Sequence, residues 1–209
     1  MKTEDLIRSL AADTAQPGRL GVTLAMGLIP AAVIGLAAVW AVLGFRPDAV
    51  AALAKPVPVL RHVLTLILFA TALRMCLTLA RPEGRVRLWP LLLVPLAALA
   101  VVIWAYASLP PGTRAMALFG KTMVVCLVTV PLISVLPVAA ILAMLRRGAV
   151  TRPTLAGALA GLAGGGLGAA IYALHCTEDS PLFYVTWYGL AILMVTAVSA
   201  LIGSRLLRW

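Results

Sequence analysis

Charge is scarce in this chain. Asp, Glu, Lys and Arg make up 11% of its 209 residues, where a soluble domain carries about 25%. Only seven residues are acidic, namely Glu4, Asp5, Asp13, Asp48, Glu83, Glu178 and Asp179, and none falls inside a long apolar run. A buried acid–base relay across a bilayer is therefore missing, which counts against a proton-coupled transporter. Three cysteines with no CxxC spacing exclude a disulfide framework and the common zinc patterns. No G-x-x-x-x-G-K-[ST] and no dinucleotide fingerprint is present, so nothing supports phosphate cradling. The N-terminus begins with acids and has no short apolar core with a cleavage site, unlike a secretory signal.

Apolar sequence is what the chain has in excess. It is 63% hydrophobic, with a mean hydropathy of +1.06. Lipid admits only helices and closed barrels. Six long runs, near 20–44, 57–80, 88–109, 120–145, 154–174 and 182–207, are each able to cross about 30 Å of hydrocarbon at about 1.5 Å per residue. The expected fold is an all-α polytopic membrane protein with six transmembrane helices. Two regions follow: a polar arm at 1–19 and a six-helix domain at 20–209.

The net charge of +10 resembles a nucleic-acid signal until its placement is read. The basic residues cluster in short loops. With the N-terminus in the cytoplasm, eleven of the seventeen lie on the cytoplasmic side: Lys2, Arg8, Arg19, Arg81, Arg85, Arg87, Arg146, Arg147, Arg152, Arg205 and Arg208. Arg46, Lys55, Arg114 and Lys121 face the other way, and Arg61 and Arg74 lie within the second run. This asymmetry places both termini in the cytoplasm and argues against direct nucleic-acid binding. Arg61, His62 and Arg74 are expected to snorkel to the headgroups. Phe183, Tyr184, Trp187 and Tyr188 are expected to form an outer interfacial belt, with Trp40 and Trp104 at outer ends and Trp89 and Trp209 at inner ends.

Glycines crowd the fifth run. Gly157, Gly161 and Gly165 repeat at GxxxG spacing, which lets helices approach closely. The last run follows the most polar segment of the second half, His175-Cys176-Thr177-Glu178-Asp179-Ser180-Pro181. Ser180 can cap the final helix, with Pro181 in its first turn and Glu178 and Asp179 near its positive end.

Three thiols remain to be placed. Cys126 lies about 9 Å below the outer end of the fourth span, counted at 1.5 Å per residue, and Cys176 lies at the outer end of the fifth. The two share a side and a depth. They can bond only if their Cα atoms approach within about 7 Å. Cys76 lies near the inner end of the second span and reads as a small packing residue. Cys126, His175 and Cys176 are candidate ligands for a soft or borderline metal, with Glu178 and Asp179 as auxiliary ligands. Packing and helix capping account for the same residues without chemistry.

In the arm, Leu6, Ile7, Leu10 and Ala11 fall at helical spacing. Glu4 and Asp5 stand in the first turn behind Thr3, and Pro17-Gly18 ends the segment.

The opening Met1-Lys2-Thr3-Glu4-Asp5-Leu6-Ile7, the six spans, Cys126, and the stretch from His175 to Pro181 followed by Phe183 and Trp187-Tyr188 together resemble the NrsF family. Its members are bacterial inner-membrane anti-sigma factors, negative regulators of an extracytoplasmic-function sigma factor. The resemblance implies a non-enzymatic, multi-pass inner-membrane regulator. It implies that the cytoplasmic arm holds the sigma factor inactive. On physical grounds Glu4, Asp5 and Asp13 around the stripe of Leu6, Ile7 and Leu10 suit a helix laid into a groove of a basic surface, although capping and solubility account for the same acids. It further implies that Cys126 and Cys176 match two cysteines needed to respond to heavy-metal or oxidative stress, whereas Cys76 has no counterpart. No resident cofactor is implied beyond transient metal capture, and no oligomeric state. Two other classes fit the composition: a small transporter or permease, which needs a polar pathway at the midplane, and a membrane thiol oxidoreductase, which normally needs a CxxC-type pair.

Overall fold

Among the described residues all the regular structure is helical, as the six apolar runs require. The computed structural model describes residues 3–5 and 19–208. Its helices are α1 (Arg19–Val42), α2 (Ala49–Leu53), α3 (Pro56–Leu79), α4 (Trp89–Ser108), α5 (Arg114–Phe119), α6 (Met123–Arg146), α7 (Pro153–Tyr172) and α8 (Pro181–Leu206), with a 3-10 turn at Pro111–Thr113. Among the described residues six segments are long and apolar enough to cross a membrane. They are α1, α3, α4, the stretch from Pro111 to Arg146, α7 and α8. Residues 3–5 are helical and exposed. Leu6, Ile7, Leu10 and Asp13 lie outside the described residues.

The helix at the centre is α7, where side chains are smallest. Most of its apolar window is buried inside the bundle, whereas α4 buries only Ala105. The glycines of α7 serve three neighbours. Gly157 and Gly161 meet α8 so closely that a Cβ on Gly157 would lie 2.6 Å from Ser199 O, and one on Gly161 2.6 Å from Thr196 Cα. Gly164 and Gly168 meet Val138 and Ser134 of α6, and Gly166 meets Thr65 and Phe69 of α3. In lipid, apolar surface gives helices little reason to associate, so close packing and hydrogen bonds across the interface decide. Ser199 Oγ supplies such a bond, donating to Gly157 O at 2.8 Å.

Helix α1 packs on α6 and α7, with Gly27 against Ala140 and Gly35 against Ile133 and Ile171. The fourth span does not begin as one straight helix. Between α5 and α6 the chain turns at Gly120, where φ is +56° and a Cβ would strike the Phe183 ring. Only glycine tolerates that conformation at low cost.

Contacts between loops fix the two ends of the bundle. Arg46 N donates to Leu174 O, and Lys121 N donates to Glu178 Oε1, at the Cys176 end. Ala149 N donates to Ala80 O at the opposite end.

Candidate functional site

The polar side chains buried with ionic partners gather at the Cys176 end, around the 173–180 loop that joins α7 to α8. Arg61, on α3, is 1% exposed. Its Nη2 donates to Ala173 O at 2.9 Å and its Nη1 to Glu178 O at 3.1 Å, with Asp179 Oδ1 at 3.5 Å. Ala173 caps the C-terminus of α7, where carbonyls lack intrahelical donors and a positive charge is favoured. Arg61 therefore does not snorkel to the headgroups as expected. It is turned inward, because a helix end and a loop backbone need its donors. His62 is half-buried and contacts Pro58 O through Nδ1 at 3.0 Å. Arg74 is exposed.

Arg46, in the loop after α1, is 6% exposed. It grips two carboxylates with both faces of its fork. Nη1 and Nη2 donate to Asp179 at 2.8 and 3.1 Å, and Nε and Nη2 donate to Asp48 at 2.8 and 2.9 Å. Nη1 also reaches Cys176 O at 3.4 Å. Its pKa is raised, chiefly by the hydrogen bond to Asp179 and then by that to Asp48. Hydrogen bonding to Arg46 holds the Asp48 carboxyl below the ordinary carboxylate value. Bidentate guanidinium–carboxylate pairs of this kind fix geometry as well as charge.

The other polar residues of the loop are tied down in turn. His175 Nδ1 lies 2.8 Å from Gly44 O. A carbonyl only accepts, so Nδ1 carries the proton. Glu178 Oε1 accepts from Lys121 N at 2.8 Å. Ser180 takes the N-cap position of α8 with Pro181 behind it, as expected, but makes no side-chain cap bond. Asp179 is committed to Arg46 rather than to the helix end.

The aromatic belt expected at the start of α8 is for the most part absent. Phe183, Tyr184 and Tyr188 are buried in the bundle, and Trp187, half-buried, donates from Nε1 to Leu118 O at 2.7 Å. Glycines on α7 draw α8 in so closely that its first turns become core. Trp40, Trp89 and Trp104 are exposed, as interfacial residues would be.

Cys126 and Cys176 are 0% and 1% exposed and both are free. They belong to one buried cluster with Tyr172, Phe183, Tyr184 and Tyr188. Hydroxyls of Thr122, Tyr172, Tyr184 and Tyr188 are buried at this end without partners. Cys76 lies in the separate cluster toward the other end, with Leu79 and Leu145. Among the described residues no three His, Cys, Asp or Glu side chains stand as a ready metal site. His175, Glu178 and Asp179 are occupied by Gly44, Lys121 and Arg46, so the arrangement offers a thiol pair rather than a multidentate cage.

Arg46 and Arg61 were not singled out as site residues by sequence reasoning. One signal was available: an arginine inside an apolar run is a functional candidate by default, and the acidic pair at 178–179 needs a basic partner on its own side.

A cavity of about 650 Å³ lies between α3, α4 and α8. Its walls are mostly apolar, among them Leu64, Leu68, Val94, Ile192 and Leu193, with Arg61, Thr65, Tyr184, Thr186 and Tyr188 as the polar members.

Fold and site together define an all-helical protein with six candidate membrane spans, whose polar groups lock the interhelical loop that carries one of two buried thiols. The chain belongs to the NrsF family, whose description is "Negative regulator of sigma F" and which it matches over residues 10–209. Two relatives align over their full length and over all of this chain. The probable anti-sigma-F factor NrsF of Azospira oryzae is 33% identical over 217 residues, and the anti-sigma-F factor NrsF of Caulobacter vibrioides is 34% identical over 221. The family is one of regulators, not of enzymes. No solved structure matches the chain.

Proposed function

We propose that this protein is a membrane-bound anti-sigma factor of the bacterial inner membrane. In this reading both termini are cytoplasmic and the Cys176 end faces outward, in keeping with the distribution of Lys and Arg. The arm of residues 1–19 holds an extracytoplasmic-function sigma factor, with Glu4, Asp5 and Asp13 meeting basic surface and Leu6, Ile7 and Leu10 entering an apolar groove. The exposure of Glu4 and Asp5 supports this, as do the names of the two relatives.

Cys126 and Cys176 are the sensor. Either a soft metal ion displaces both thiol protons and is held by two thiolates, or an oxidant takes two electrons and two protons and leaves a disulfide. Each change pulls the 173–180 loop and α6 against the Arg46–Asp179 and Arg61 contacts. Helix α1 packs on both α6 and α7, and Arg147 at the end of α6 donates to Thr23 Oγ1 at 3.3 Å. The start of α1, to which the arm is joined, therefore feels any shift of the sensor helices. A switch of this type needs an element with two packings and a local event that biases it. The observation that carries the reading is the burial of both thiols in one cluster, one of them on the clamped loop itself.

The arm is tested by sigma retention on full-length protein in detergent. Wild type should retain its cognate sigma factor. Asp5→Ala and Leu10→Ala should each lower retention at least about tenfold, the scale of losing one interfacial contact. Retention unchanged in both variants would remove the arm from the mechanism.

A further inference from the structure

At the end of the bundle opposite Cys176, the close of α3 and the approach to α4 enclose a recess of about 470 Å³. Thr71, Arg74, Thr78, Arg85, Arg87 and Pro90 line it, over a floor that includes Ala70, Met75 and Val86. The segment 84–88 has no regular structure, and within it Val86 packs against the core while Arg85 and Arg87 stay exposed. Arg74 stands five residues before the end of α3, about 7.5 Å inside the span at 1.5 Å per residue, and is also exposed.

Three arginines thus line one recess near this end of α3. Among the described residues none of them is in an ion pair; the three ion pairs all belong to Arg46 and Arg61. Glu83, the acid in the same loop, makes none either. The N-terminus of α4 adds a fourth positive element. Its N-cap, Leu88, offers no side-chain acceptor, and its first turn holds no acid, so its dipole favours an anion.

We propose that this recess binds the phosphate of an anionic phospholipid. Arg74, Arg85 and Arg87 hold the phosphate oxygens, and the acyl chains run along the apolar outer faces of α3 and α4. Exposed Leu66 and Ile67 on α3 and Leu92 and Leu93 on α4 continue that surface away from the recess. A phosphate ester with chains attached uses both the charge and the apolar floor, whereas a soluble phosphate uses only the charge. Bound there, the lipid braces the 80–88 loop, whose Ala80 O accepts from Ala149 N of the α6–α7 loop.

The test is native mass spectrometry of the full-length protein in detergent, with phosphatidylglycerol and phosphatidylcholine supplied in equal amounts and inorganic phosphate in a separate arm. Retained phosphatidylglycerol should exceed phosphatidylcholine at least about tenfold, the scale of several basic residues acting near a membrane surface. Arg74→Gln alone should reduce this preference, and Arg85→Gln/Arg87→Gln should abolish it. Arg205→Gln/Arg208→Gln, which removes two other basic residues from the same end, should leave it intact. Equal retention of both lipids, or a preference that survives in Arg85→Gln/Arg87→Gln, would overturn the proposal. So would inorganic phosphate competing as well as the lipid, since the site would then take a soluble anion.

Discussion

Arg61 Nη2 donates to Ala173 O at 2.9 Å across 112 residues of sequence, and the side chain is almost wholly enclosed. One residue of α3 thereby closes the end of α7 and fixes the loop that carries Cys176. Removing a charged partner from a buried site strands the other groups, at about 3–5 kcal/mol when the pair is ionic. Arg61→Ala is expected to lose that order of stability in detergent, and Arg61→Lys somewhat less. Thermal unfolding checks this. A melting temperature equal to wild type in Arg61→Ala would mean the contacts carry no stability.

Arg46 ties down the loop that carries Cys176 through Asp179 and the Cys176 carbonyl. Charge-assisted hydrogen bonds contribute about 1.5–3 kcal/mol each, so Arg46→Gln should raise local opening of the loop at least about tenfold. Alkylation of Cys176 by a maleimide, followed by mass spectrometry on a Cys76→Ala/Cys126→Ala background, should accelerate by that factor. A rate unchanged from the Arg46 parent would show that the loop opens by another route.

Low pH should act on the same clamp through Asp48. Its folded pKa lies below the ordinary value of 3.8. The contribution is therefore present above that value and is lost as pH falls through the folded pKa. Wild type and Asp48→Asn should differ in melting temperature at pH 6, and the gap should narrow progressively as pH falls below 3.8. A gap that stays constant as the pH is lowered would assign the effect to packing rather than charge.

Gly120 couples the fourth span to the loop. It holds φ at +56°, lies against Phe183, and precedes the Lys121 N–H that Glu178 accepts. Gly120→Ala adds backbone strain of about 1–3 kcal/mol and drives a Cβ to within 2.7 Å of the Phe183 ring. It should lower stability more than Gly112→Ala, whose added Cβ meets nothing. Paired melting curves decide the comparison.

How much of this was legible in advance follows from what each feature depends on. The six spans rest on run length, a local property, and all six were legible, as was glycine packing in the fifth. Trp187 and its neighbours looked like a lipid-facing belt because aromatic composition at a span end is the same whether the face turns to lipid or to α7. Which way it turns depends on how near the glycines let α8 come. Arg61 carried the same ambiguity. Its position in the sequence permits snorkelling, and only the three-dimensional placement of the Ala173 and Glu178 carbonyls gives its donors a nearer use. His175 and Asp179 read as metal ligands by type, yet their partners, Gly44 and Arg46, lie 131 and 133 residues away. Such pairings leave no mark in local spacing. The placement of Cys126 and Cys176 in one buried cluster was foreshadowed by shared depth alone.

The central claim is that the state of the two outer thiols governs the hold on sigma, and it is tested most directly by sigma retention under stress. Wild type and Cys126→Ser/Cys176→Ser, each reconstituted in lipid with bound sigma factor, would be exposed to cadmium ions in one arm and diamide in another. The account predicts release from wild type in at least one arm and undiminished retention by the double variant in both. Release from the double variant equal to wild type would contradict it.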